Sequence, residues 1–212
     1  MRHYSLLDRF ITEADRALRT LAPEAAKAGR SNPSRQHSEG ELTTKERRHV
    51  AGLMRINHTG EVCAQGLYQG QALTARLPEV RDEMENAARE EEDHLAWCEE
   101  RVTELGYHTS YLNPLWYAMS LGIGAAAGAA GDKWSLGFVA ETEKQVCAHL
   151  QSHMERAPVR DEKTQAILHQ MHDDEARHMQ MAQRAGAAEL PPPVRRLMSL
   201  VSKVMTTAAY RF

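Results

Sequence analysis

Cysteine, net charge and long apolar runs are all scarce in this sequence. Only Cys63, Cys98 and Cys147 occur in 212 residues, with no close pair among them. Neither a thiolate metal knuckle nor a disulfide framework is indicated, and a reducing compartment fits best. Lys and Arg total 26 against 29 Asp and Glu, a formal net charge of −3. A surface built for phosphates ordinarily shows as a basic excess, so nucleic acid is not an expected partner. The opening residues place Asp8, Glu13 and Asp15 in an amphipathic pattern rather than a basic start before an apolar run, which argues against a cleaved secretory signal. The alternation and turn chemistry of β structure are missing from most of the chain. No long polar stretch divides it into comparable halves, and one domain over residues 1–212 is expected.

The longest uncharged stretch, residues 112–131, reads LNPLWYAMSLGIGAAAGAAG. Pro114 interrupts its start, and the 17 residues from Leu115 to Gly131 are rich in Gly and Ala. This is not a natural membrane span. It suits a segment that dips into an interface or packs over the entrance to a site.

What the sequence does contain is helical periodicity. Leu7, Phe10, Ala14, Ala17, Leu18 and Leu21 form a stripe that predicts a first helix over about 5–21. Residues 22–42, with Pro23, Gly29, Pro33 and Gly40, read as a mobile surface connection. Further helices are expected from Thr43 or Thr44 to about Leu77, from Glu79 to Leu105, over 135–157 and over 159–186, with Pro78, Gly106, Pro158 and Gly186 as boundaries. Two hairpins joined by a long crossover, 107–134, give the connectivity of an all-α, ferritin-like four-helix bundle over 44–186, with additional N-terminal, crossover and C-terminal helices.

Each hairpin carries a lone glutamate followed by a Glu-x-x-His pair: Glu61 with Glu91 and His94, then Glu143 with Glu175 and His178. Glu61 stands 17 residues before Pro78, and Glu91 and His94 stand 13 and 16 after it; Glu143 stands 15 before Pro158, and Glu175 and His178 stand 17 and 20 after it. At about 1.5 Å rise per residue, each antiparallel pair brings its three residues to similar depth. Three-residue spacing puts each glutamate and histidine on one helix face. Glu91, Glu92 and Glu175 alone would read as solvated helix faces. Glu61 and Glu143 resist that reading because small and apolar residues surround them.

Four buried carboxylates without counterions are prohibitively unfavourable, whereas two divalent ions balance their charge and the histidines add neutral nitrogen ligands. Mixed carboxylate and imidazole donors favour iron or manganese. Such a site with reduced iron and an open position can take up dioxygen. Asp93, adjoining His94, and Asp174, four positions before His178, are candidates to accept the outer imidazole hydrogens. His149 is a candidate for proton transfer or substrate orientation, and Tyr68 for a redox neighbour or a packing residue. After Pro191, Pro192 and Pro193, an amphipathic helix over 194–208 carries Val194, Leu197, Met198, Val201, Val204, Met205 and Ala208 on one stripe, with Arg195, Arg196, Lys203 and Arg211 in the same section. Both lipid contact and intramolecular packing account for it.

The segments Arg55-Ile56-Asn57-His58-Thr59-Gly60-Glu61, Leu67 to Gln71, Glu90 to His94, Glu143 to His149, and Asp174 to His178 resemble the Coq7 family of demethoxyubiquinone hydroxylases. The resemblance covers about residues 44–186. It implies a di-iron site of Glu61, Glu91, His94, Glu143, Glu175 and His178, with two Fe ions per subunit. It further implies a ferritin-like monooxygenase that uses dioxygen to hydroxylate a polyprenyl benzoquinol in ubiquinone biosynthesis, peripheral to a membrane and placed on the cytoplasmic face of a bacterial inner membrane. Electrons would come from the quinol ring, from NADH or from a reductase. No glycine-rich dinucleotide motif marks an internal nicotinamide domain. Membrane lipids, other ubiquinone-biosynthesis proteins and a second copy of the chain are the expected partners. Many relatives carry Asp where this chain has Asn57, which changes local hydrogen bonding and leaves the ligand position intact. The nearest alternative is a ferroxidase or iron-storage protein. A manganese catalase-like enzyme, a rubrerythrin-like electron carrier or a membrane scaffold accounts for less of the pattern.

Overall fold

The computed structural model describes residues 6–212, without the side chains of residues 6–10, 78, 79, 81 and 83. Among the described residues there are seven α-helices and no strand: α1 Leu6–Leu21, α2 Thr44–Thr74, α3 Pro78–Glu104, α4 Asn113–Ala130, α5 Asp132–Arg156, α6 Glu162–Arg184 and α7 Pro192–Ala209. Local chemistry sets the boundaries. Thr43 caps α2 through its hydroxyl to the Glu46 amide, while the Glu46 carboxylate takes the Thr43 amide at 2.9 Å. Proline occupies the first turn of α3, where its missing N–H costs no helical bond. Gly106 and Gly186, at φ 82° and 98°, follow α3 and α6 in the left-handed conformation that ends a helix.

Helices α2, α3, α5 and α6 form the four-helix, ferritin-like bundle. One apolar cluster fills one end with Met54, Trp97, Leu150 and Met171, and another fills the opposite end with Tyr68, Met84, Val139 and Ala182. On every helix of the bundle the acid and histidine positions fall between the two clusters. The polar residues are therefore sealed at both ends by packed hydrocarbon.

The crossover is helix α4, laid along α2. A Cβ on Gly124 would lie 2.2 Å from the Leu67 carbonyl oxygen, and one on Gly70 would lie 2.2 Å from that of Leu121. Glycine at these positions lets the two backbones meet. On α1, Ala17 and Leu21 pack against Val62, Leu95 and Tyr117, while Leu18 is exposed. The side chains of Leu7 and Phe10, the start of the expected stripe, lie outside the described residues.

Residues 22–42 differ from the free connection that composition suggests. Asn32 and Ser34 are buried around a short 3-10 turn, Pro33–Gln36. Asn32 donates to Glu100 at 2.9 Å, the Glu24 amide donates to Glu99, and Glu39 pairs with the fully buried Arg101 at 2.7 Å. Buried or ionic partners for Pro-, Gly- and Ser-rich chain arise from distant helices, which composition does not register. The segment is a strap across α3 and α6 that also carries Arg30.

Candidate metal centre and its cavity

The six predicted ligands converge. Glu61 comes from α2, Glu91 and His94 from α3, Glu143 from α5, and Glu175 and His178 from α6, and all are 0–3% exposed. Donor atoms of Glu61, Glu91, His94 and Glu175 lie within 4.8 Å of one another. His94 Nδ1 is 2.9 Å from Glu91 Oε2, 3.1 Å from Glu175 Oε1 and 4.0 Å from Glu61 Oε2. His178 Nδ1 is 3.1 Å from both Glu91 Oε1 and Glu175 Oε2. Each of Glu91 and Glu175 thus turns one oxygen to each histidine. Two carboxylates span the centre, with Glu61 beside His94 and Glu143 in contact with Glu175.

The electrostatics test whether this donor set suits cations. Burial, then the neighbouring Glu91 and Glu175, raises Glu61 well above the ordinary carboxylate range; burial, then Glu175 and Glu91, does the same to Glu143. Burial opposes charge on Glu91 too, but the His94 and His178 imidazoles hold it low. His178 is raised to about 12 by its carboxylate contacts against the opposing effect of burial, and His94 is likewise raised. Four carboxyl groups crowded into one buried cluster call for compensating positive charge, which bound metal would supply. Glu91 Oε1 is also buried without a well-directed hydrogen bond. The residues fit bound metal.

The outer contacts depart from the sequence expectation. Asp174 accepts from His94 Nε2 at 2.9 Å rather than from His178, and Glu90 takes His178 Nε2 at 2.9 Å. Asp93 turns away from the histidines to the strap, accepting from the Gly29 amide at 2.6 Å and Arg30 Nε at 2.5 Å. Sequence proximity on one helix suggested the wrong partners because each outer carboxylate reaches across to the facing helix. Arg30 and Glu90 are functional neighbours that spacing does not reveal; for Glu90 the nearest signal is the Glu90-Glu91-Glu92 run, and for Arg30 there is none.

Tyr68 is buried, and its hydroxyl donates to Glu143 Oε1. Burial and then Glu143 push the phenol pKa well up, so it remains a donor. On the other side of Glu143 opens a cavity of about 280 Å³, whose lining does not include Tyr68. Glu61, Glu143 and Glu175 border it, and apolar walls come from Leu67 on α2, Trp116 and Ile123 on α4, Val146 on α5, and Met198 and Val201 on α7. His149 is on the wall, with Nε2 3.1 Å from Ser202 Oγ, and burial lowers its pKa. Leu197, Val194 and Met119 line the cavity and are also exposed, marking its mouth between α4 and α7.

A ferritin-like helical bundle enclosing a carboxylate and imidazole cluster able to hold metal defines the class of protein. The family described as Ubiquinone biosynthesis protein COQ7 matches residues 48–209, and the chain belongs to that family. Proteins named 3-demethoxyubiquinol 3-hydroxylase are similar over nearly the full length. That of Stutzerimonas stutzeri (strain A1501) is 61% identical over 210 residues, 99% of this chain and 98% of the relative. Those of Pseudomonas putida (strain GB-1) and Acinetobacter baumannii (strain SDF) are 59% and 57% identical, each over 99% of this chain, covering 98% and 99% of the relatives.

Proposed function

We propose that this protein is a di-iron monooxygenase that hydroxylates a demethoxyubiquinol, 2-polyprenyl-3-methyl-6-methoxy-1,4-benzoquinol, with dioxygen in ubiquinone biosynthesis. The observation that carries the reading is the apolar cavity bordered by three of the clustered carboxylates. A ferroxidase needs a polar route for hydrated ions, whereas hydrocarbon walls receive a quinol. Family membership and the names of the full-length relatives support the same reaction.

Glu61 and His94 on one side, Glu143 and His178 on the other, and Glu91 and Glu175 spanning them would hold two Fe ions. When bound, the ions supply the reduction of dioxygen, with one oxygen atom destined for the quinol ring and the other for water. The chain's own residues prepare the surroundings. Walls from α4 and α7 exclude water and seat the ring at the carboxylates. A cavity of about 280 Å³ suits the ring and the start of its tail, the remainder leaving past Leu197 and Met119. His149, whose pKa burial lowers, would take up a proton from a quinol hydroxyl or orient the ring. Tyr68 holds Glu143 in position through its hydroxyl.

The apolar mouth supports delivery of the substrate from a membrane. Leu115 on α4 and Leu200 and Val204 on α7 are exposed, and no helix among the described residues is long and apolar enough to cross a bilayer. These features support peripheral attachment with lipids as partners, and the reading puts it on the cytoplasmic face of a bacterial inner membrane. NADH or a reductase would restore the reduced ions.

Anaerobic reconstitution with ferrous iron, followed by oxygen and a short-chain demethoxyubiquinol, tests the reading. Two irons per chain and labelled oxygen in the quinol are expected. Glu143→Ala should lower turnover by about 100-fold or more, since even outer partners of metal ligands are worth 10–100-fold. Iron oxidation with no hydroxylated quinol would establish a ferroxidase instead.

A further inference from the structure

We propose that Arg30 is a positioning residue for the His94 half of the metal centre, delivered by the strap from outside the 48–209 family match. The inference rests on the metal-centre reading above. Arg30 Nη1 lies 2.8 Å from Asp174 Oδ2, the same oxygen that receives His94 Nε2 at 2.9 Å. Arg30 Nε holds Asp93 at 2.5 Å, and the amides of Gly29 and Arg30 reach the other Asp93 oxygen at 2.6 and 3.2 Å. The guanidinium also lies 5.0 Å over the Trp97 ring, which packs 5.4 Å from the His94 ring. Arg177 and Gln170 hold the other Asp174 oxygen, Oδ1, the latter at 3.0 Å, whereas Arg30 meets the oxygen that His94 uses and also reaches the face of the imidazole through Trp97.

Among the described residues, the other half of the centre has no equivalent of Arg30. His178 Nε2 pairs with Glu90, whose side chain is 40% exposed and whose nearest cation is Arg177 Nη1 at 3.9 Å. Asp174 and Asp93 are 1% and 7% exposed at their side chains although Arg30 itself is 39% exposed, so the carboxylates that Arg30 joins are buried where Glu90 is open to solvent. A planar guanidinium can bridge two carboxylates, which an ammonium group cannot do in the same geometry. The two ion positions, similar in their inner ligands, are therefore unequal in how firmly their histidines are oriented. Reciprocity follows: if the docked strap favours metal at His94, metal at His94 favours the docked strap.

The test compares chelator-driven release of ferrous iron, under anaerobic conditions, from the full chain and from Arg30→Gln, Arg30→Lys and Arg35→Gln, with Mössbauer spectra identifying the emptied position. Arg35 lies on the same strap but pairs only with the rim residue Glu100 at 3.3 Å. Arg30→Gln should release one ion per chain about 10–100-fold faster, the range for outer partners of metal ligands, with the second ion unchanged. Arg30→Lys should fall between, and Arg35→Gln should match the parent. Unchanged release from Arg30→Gln, or equal acceleration of both ions, overturns the inference, the latter marking general loosening of the bundle. A parent chain that binds no iron instead overturns the metal-centre reading and the inference with it. Hydrogen exchange of the unmodified chain gives an independent answer should Arg30→Gln not fold. Iron loading should slow exchange at the Gly29 and Arg30 amides, and exchange indifferent to iron overturns the proposal.

Discussion

Tyr68 shows how much a single hydroxyl can do in a buried cluster. Its phenol donates to Glu143 Oε1, so Tyr68→Phe leaves that oxygen without its partner while keeping the ring's packing. An unsatisfied buried acceptor costs about 1–3 kcal/mol, which urea unfolding of the metal-free protein should register. On the proposed reading, iron content should persist at two per chain, and quinol turnover should fall about 10–100-fold as Glu143 loses its orientation. At this scale the sequence was informative wherever the signal was spacing along one helix. Glu91 with His94, and Glu175 with His178, lie one turn apart on a common face, and Glu61 and Glu143 stand out as acids among small residues. The outer partners were illegible for the opposite reason: Asp174 and Glu90 serve histidines 80 and 88 positions away, and helical phase does not say which neighbour faces which.

Among the elements, α4 depends most on what it lacks. Gly124 meets the Leu67 carbonyl with no room for a methyl group, whereas Gly122, on the outward side of the same helix, has open space. Alanine favours a helix by about 1 kcal/mol over glycine, so Gly122→Ala should stabilise the protein by up to that amount. At Gly124 the same substitution must push two backbones apart, and overpacking costs about 1–3 kcal/mol, enough to reverse the sign. Unfolding midpoints for the two variants should move in opposite directions. Helix ends were legible because Pro78, Gly106, Pro158 and Gly186 act locally. The strap was not, because its order comes from Glu99, Glu100, Arg101 and Asp93 on a distant helix. The C-terminal stripe is divided: Met198, Val201 and Met205 turn to the cavity, while Val204 turns outward together with Leu200, which stands outside the stripe. Periodicity identified an amphipathic helix and left open which of its apolar residues faced protein.

The molecule as a whole has an apolar mouth on one side and a balanced charge elsewhere. That asymmetry gives the proposed membrane attachment a clean test, because Leu200 and Val204 are exposed and stand outside the cavity lining. Each such side chain contributes about 1.5–3 kcal/mol when buried in hydrocarbon. Replacing both with glutamate should weaken flotation with anionic liposomes by at least about tenfold, with no fall in the unfolding midpoint. Retained flotation would mean that lipid meets the protein elsewhere. The crossing of contacts at the centre has a consequence for how such a chain matures. His94 needs Asp174 from the second hairpin, and His178 needs Glu90 and Glu91 from the first. On the proposed reading, neither hairpin alone offers a complete berth for an ion. During synthesis, a half-made chain would therefore gather no iron, and metal uptake would report that both hairpins had come together.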